Sequence, residues 1–212
     1  PQFKQSTIDE SFYVIWTDTM KVLLLVQVDD LLLAHNSDEF KTKFASRLIK
    51  TLGGKFDAED KGFPKQFYGI DINSDTISGR RFIHLSDERK ITSMCDRFNV
   101  NTLTAVKSPM REEFIPQGEN DEVIDEQLIA ATRSLVYSLL WIARTVRPDI
   151  YFHVRKMTQF VHFSSKTNFE AAKRILHYVH STKHFRISYF KRANVAPYSI
   201  VTDSDHAGDL HC

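Results

Sequence analysis

The stretch "KVLLLVQVDDLLLAH", Lys21 to His35, limits the fold of this chain more than any other. An apolar run of mostly Val and Leu leads into two adjacent carboxylates, Asp29 and Asp30, and a second run, Leu31 to Ala34, leads away. Runs of this kind on either side of turn-favouring residues read as two strands, with the Asp pair at the tight connection between them. Aspartate weakens a strand and is costly to bury unpaired, so a pair at the apex of a hairpin with buried flanks is expected to be held rigidly and to project into a cleft. Such a corner calls for a cation. Hard divalent ions such as Mg²⁺ take oxygen ligands, and phosphoryl-transfer sites hold two of them roughly 3.5–4 Å apart. As an isolated feature, a solvated Asp-Asp turn is the commoner explanation, because turns favour Asp anyway.

The other elements follow from periodicity and punctuation. Tyr13 to Trp16 reads as a strand before the hairpin. Ser37, two acids, and Phe40, Phe44, Leu48 and Leu52 at four-residue spacing predict a capped amphipathic helix from Asp38 to about Leu52, stopped by Gly53-Gly54. "QFYGIDIN" and "RRFIHLS" flank the turn-rich "SDTISG" as a second hairpin, and Ser86, Asp87 and Glu88 open a helix towards Phe98. Lys107 to Glu122, with Pro109, Pro116, Gly118 and several acids, reads as a linker. Asp125 to Val146 carries Leu128, Leu135, Leu139 and Ile142 on one helical face and must end before Pro148. Pro148 starts a second helix running to about Phe163. A third, Asn168 to His180, sets Lys173, Arg174, His177 and His180 away from Phe169, Ala172, Ile175, Leu176 and Val179. "FRISYF" and "YSIVTDSD" return to strands, which makes the class α+β.

Composition narrows the possibilities further. With 212 residues, 42% hydrophobic and 26% charged, the chain can bury a real core and does not read as disordered. No apolar stretch reaches the roughly 18 residues a membrane span needs. Cys95 and Cys212 are the only cysteines, which points to a reducing compartment without a disulfide framework. A start at Pro1 without a leader suggests a fragment. The net charge of +1 hides an asymmetry: residues 1–132 hold 16 Lys plus Arg against 22 Asp plus Glu, and residues 133–192 hold 12 against 2. A block that basic, interleaved with histidines and aromatics, is the footprint of a polyanion binder or a set of solvated helix faces. Gly53-Gly54 is no phosphate loop, since neither a G-K-[ST] nor a leading strand accompanies it. His180 and His184 have no third ligand nearby, so zinc is not expected.

Several motifs together resemble one family. The Val28-Asp29-Asp30 corner between apolar strands is similar to the catalytic hairpin of reverse transcriptases, and its flanks to those of Ty/copia-type LTR retrotransposon Pol polyproteins. "FYGIDI" is similar to that family's strand before the primer-gripping hairpin, "RFIHLSDERKITSMCDRF" to the hairpin's return and the next helix, and "VKSPM" to the segment closing that region. "RSLVYSLLWIARTVRPDIYFHVRKMTQF" and "EAAKRILHYVHSTK" look like its paired helices, and "VTDSDHAGD" like the opening of its ribonuclease H domain. The resemblance implies part of a palm and primer-grip region over 1–110, a linker over 111–124, a basic helical thumb or connection over 125–184, and the start of a ribonuclease H-like domain over 185–212. It implies an RNA-directed DNA polymerase using Mg²⁺, or Mn²⁺ in its place. Asp29 and Asp30 match two metal-binding carboxylates of the polymerase, and Asp203 matches the first of ribonuclease H. Lys173, Arg174, His177, Arg155 and Lys156 are the candidate nucleic-acid contacts. The implied partners are an RNA/DNA template-primer duplex, dNTPs and the upstream polymerase portion, with no membrane. The implied location is intracellular, in a cytoplasmic virus-like particle and the nucleus.

The chain also departs from that pattern. A further polymerase Asp is expected on an earlier strand, and Asp9 and Asp18 sit in poor surroundings for it; further ribonuclease H acids are expected after Asp203. Gln27 stands where the family usually has Tyr, His35 where it has a small Gly, and His206 where it has Trp. Two readings therefore stand beside each other: a polymerase fragment inactive by itself, and a non-catalytic nucleic-acid-binding remnant or domesticated transposon protein.

Overall fold

In a computed structural model, which describes residues 2–36, 40, 46–54, 59–100, 103–111, 114–116, 118, 125–163 and 165–191, the Asp-Asp stretch is a hairpin. Strands β1 (Lys4–Gln5), β2 (Phe12–Trp16), β3 (Lys21–Gln27) and β4 (Asp30–His35) form an antiparallel sheet in chain order, so β4 lies outermost. The β3–β4 register runs from Val22 opposite His35 to Gln27 opposite Asp30, leaving Val28 and Asp29 as the whole loop. Val28 takes φ +52°, a left-handed conformation that a β-branched side chain resists. Period-2 alternation buries Ile15, Val22 and Leu24 on one face, where Ile15 and Val22 meet Phe40. Helix α1 (Ser46–Gly53) ends at the expected glycines, while 38, 39 and 41–45 lie outside the described residues.

The second sheet consists of β5 (Gln66–Phe67), β6 (Ile70–Ile77), β7 (Arg80–Ser86) and β8 (Ile187–Phe190), again antiparallel and in that order. Its two tight turns, Tyr68-Gly69 and Ser78-Gly79, have positive φ at both residues, the twist that two-residue hairpins favour. The "SDTISG" connection is shorter than its composition suggests. Ser74 to Ile77 stay paired with β7, because only Ser78-Gly79 supplies two consecutive left-handed residues. Strand β8, from a region otherwise read as opening the last unit, pairs with β7 from Leu85 opposite Ile187 to Phe82 opposite Phe190.

Four helices build the main core. Asp87, Asp125 and Ser165 cap α2 (Glu88–Arg97), α3 (Glu126–Thr145) and α5 (Lys166–Ser181) by accepting from the amides of Lys90, Leu128 and Asn168. Between α3 and α5, a 3₁₀ turn over Pro148–Ile150 enters α4 (Tyr151–Thr158). Helix α4 stops short of Phe163: the amides of Gln159, Phe160 and Phe163 each bond three residues back, tightening the chain into turns. Leu135, Leu139 and Ile142 of α3, Val154 and Met157 of α4, and Ile175, Leu176 and Val179 of α5 are buried together with Ile91 and Met94 of α2. Among the described residues no helix is long and apolar enough to cross a membrane.

Candidate functional site

The Asp29-Asp30 corner is exposed. Asp29 occupies the loop, Asp30 opens β4 opposite Gln27, and Val28 beside them is 85% exposed. The corner is held by β3 and β4, whose Leu24 and Leu33 lie opposite each other; Leu24 is buried and Leu33 half-buried. Among the described residues neither carboxylate has a hydrogen bond or ion pair, and no group of three His, Cys, Asp or Glu side chains could enclose a metal. Two adjacent carboxylates offer oxygen ligands alone, the chemistry a hard divalent cation takes. They make an incomplete ligand set, which further oxygens from another segment or a substrate would have to complete.

The expected nucleic-acid contacts are carried by two helices. Lys173, Arg174 and His177 lie on α5, while Arg155 and Lys156 lie on α4. Arg174 Nη2 donates to Ser108 Oγ at 3.3 Å, the His177 ring donates from Nε2 to the Thr104 carbonyl, and Ser181 Oγ accepts from the Val106 amide at 3.0 Å. These three contacts lay residues 104–108 along α5, so Arg174 and His177 face protein. Lys173 sits 3.7 Å from Glu170 on its own helix, and exposed Arg155 bonds Thr158 one turn on. Burial, then the charges of Lys183 and His177, hold the His180 ring below its ordinary pKa. Asp203 lies outside the described residues.

Two arrangements escape sequence reasoning. His84, 3% exposed on β7, bonds Ser188 Oγ of β8 through Nδ1 at 2.8 Å and Asp75 Oδ1 of β6 through Nε2 at 3.0 Å. Arg186 reaches the other Asp75 oxygen at 3.5 Å, so one polar chain laces three adjacent strands. The second is a groove between α2 and α3 lined by Lys90, Arg133, Tyr137 and Trp141 among others. Cation and aromatic positions at helical spacing on α3 are its only sequence signal.

The chain is 30% identical over 209 residues to the retrovirus-related Pol polyprotein from transposon RE1 of Arabidopsis thaliana, covering 98% of this chain. To the corresponding RE2 polyprotein it is 27% identical over 207 residues, again 98% of the chain. The chain is homologous to a region of Ty/copia-type retrotransposon Pol polyproteins. This Pol-related chain spans 13% of the length of each of those two relatives. It is also 25% identical over 204 residues to a transposon Ty5-1 protein of Saccharomyces cerevisiae, covering 96% of this chain and 62% of that protein. No family model and no solved structure matches it.

Proposed function

We propose that the chain is part of a reverse transcriptase: the end of the palm, carrying two of its metal-binding carboxylates, followed by a basic helical unit that holds a template-primer duplex. The observation that carries this reading is the tight Val28-Asp29 corner, which sets exposed Asp29 in the loop and exposed Asp30 at the first pair of β4, on a hairpin with apolar flanks. Asp29 and Asp30 would hold Mg²⁺, or Mn²⁺, through their oxygens. Bound there, the metal would offset phosphate charge and align the primer 3′ hydroxyl with an incoming dNTP. The rigid β3–β4 pair fixes where the carboxylates stand, and the Lys and Arg excess of 133–192 attracts the nucleic-acid backbone. The upstream polymerase portion would supply the remaining carboxylate, Asp203 would open the ribonuclease H site, and the work would take place inside the cell, in particles and the nucleus.

A second reading is favoured by the basic block 133–192, with 12 Lys and Arg against 2 acids: a remnant that binds nucleic acid without catalysis. Primer extension with Mg²⁺ and dNTPs, by the chain joined to the upstream polymerase portion and by the same assembly carrying Asp29→Asn, separates the two. Incorporation abolished by Asp29→Asn is expected for the polymerase. Equal incorporation by both overturns the assignment of Asp29, and no incorporation by either, with salt-sensitive duplex binding kept, selects the remnant.

A further inference from the structure

The α2–α3 groove, about 590 Å³, has no acidic lining residue. Lys90 stands on one wall and Arg133 on the other, and Arg97 reaches across from α2 to donate to Ser134 Oγ at 2.9 Å. Arg133 is braced by the His162 ring at 3.2 Å, which keeps a long cationic side chain in place. Aromatic surface lies among these cations. Tyr137 is 49% exposed, and Trp141 lies under Lys90 Nζ at 4.8 Å, with its indole N–H buried and without an acceptor among the described residues. At the far end Tyr68, itself 52% exposed, meets Trp141 edge-on at 5.1 Å.

Lys90 lies near the Asp87 charge, but Arg97 and Arg133 form no ion pair among the described residues; such cations suit a phosphate backbone, and either strand form could satisfy them. Exposed rings between the cations favour single strands, because a base can stack on an aromatic face only when it is free of its duplex partner. We infer that the α2–α3 groove binds a single-stranded nucleic-acid segment, with Arg97 and Arg133 on phosphates and Tyr137 as a stacking platform. The inference rests on the reading that this chain handles nucleic acid and adds a strand site apart from the duplex contacts assigned to α4 and α5.

Fluorescence anisotropy with the full chain tests it, using a short labelled oligo(dT), its oligo(U) counterpart and a blunt duplex across a salt series. Both single strands are expected to bind. Tyr137→Ala should weaken them by roughly tenfold while Tyr137→Phe keeps affinity, a contrast that loss of folding would not produce. Arg97→Ala and Arg133→Ala should each lower the single-strand salt slope by about 0.7. Single-strand affinity unchanged in Tyr137→Ala, or duplex binding weakened equally by it, overturns the groove assignment while leaving the nucleic-acid reading standing. If neither strand form binds, both fall.

Discussion

Arg147 is 1% exposed and carries a full charge into the helical core. Its guanidinium donates to both Asp149 oxygens, at 2.8 and 2.7 Å, and to the carbonyls of Val179 and Thr182 at 3.2 Å. One side chain thus ties the α3–α4 junction to the end of α5, and the rings of Tyr178 and Phe185 cover it. Removing Arg147 leaves the Val179 and Thr182 carbonyls without their donor while Asp149 can turn to water, so Arg147→Ala should cost about 1–3 kcal/mol, read from urea unfolding. Asp149 gives the site a pH dependence. Burial pushes its carboxyl up, but hydrogen bonds and charge from Arg147 outweigh that and hold it below the ordinary value. A depressed carboxylate contributes stability above its unfolded pKa of about 3.9 and loses it as pH falls through the folded value. Wild type should therefore lose stability below about pH 4 more steeply than Asp149→Asn; parallel acid limbs in urea titrations would remove this pair as a cause.

At the level of elements, β8 is the unexpected one. His84 grips Ser188 and Asp75, and Arg186 joins Asp75, so β8 adds to the second hairpin through polar links as well as its backbone ladder. His84→Ala should release β8, seen as faster amide hydrogen exchange at 187–190 with little change in α3. Exchange unchanged at β8 would show that the backbone pairing suffices. The first hairpin was readable because its alternation and Asp pair are local, and α2, α3 and α5 were placed within two residues because caps such as Asp87 and Asp125 mark helix starts. The β8 partner was not readable, since Ile187 and Leu85 are brought together by helices whose packing no local pattern encodes. The contacts of Arg174 and His177 with Ser108 and Thr104 are unreadable for the same reason: a polar helix face says nothing about whether residues 104–108 will lie on it. The paired acids at the β3–β4 corner came straight from the sequence, whereas the groove cations on α2 meet those on α3 only once the core closes.

For the whole molecule, charge is the governing property. The basic 133–192 half has 12 Lys and Arg against 2 acids, so duplex affinity should fall steeply with salt. The sequence assigns equal parts to Lys173 and Arg174, but Arg174 is occupied by Ser108 while Arg155 is exposed. Replacing Lys173 and Arg155 by Ala together should lower the duplex salt slope by about 1.8, at roughly 0.9 for each phosphate contact, with a smaller change for Arg174→Ala. Equal slopes in wild type and the double variant would take both side chains off the duplex.

The outermost place of β4 reaches beyond chemistry. Its Leu31 is 44% exposed and is followed by Leu32 and Leu33, while among the described residues the outward amides and carbonyls of β4 have no strand beside them in the sheet. A leucine-rich rim of that kind is a template on which further copies can stack into ordered aggregates. Concentrated preparations of the isolated chain would be governed by this seam, and how long the chain stays dispersed would depend on what shields it.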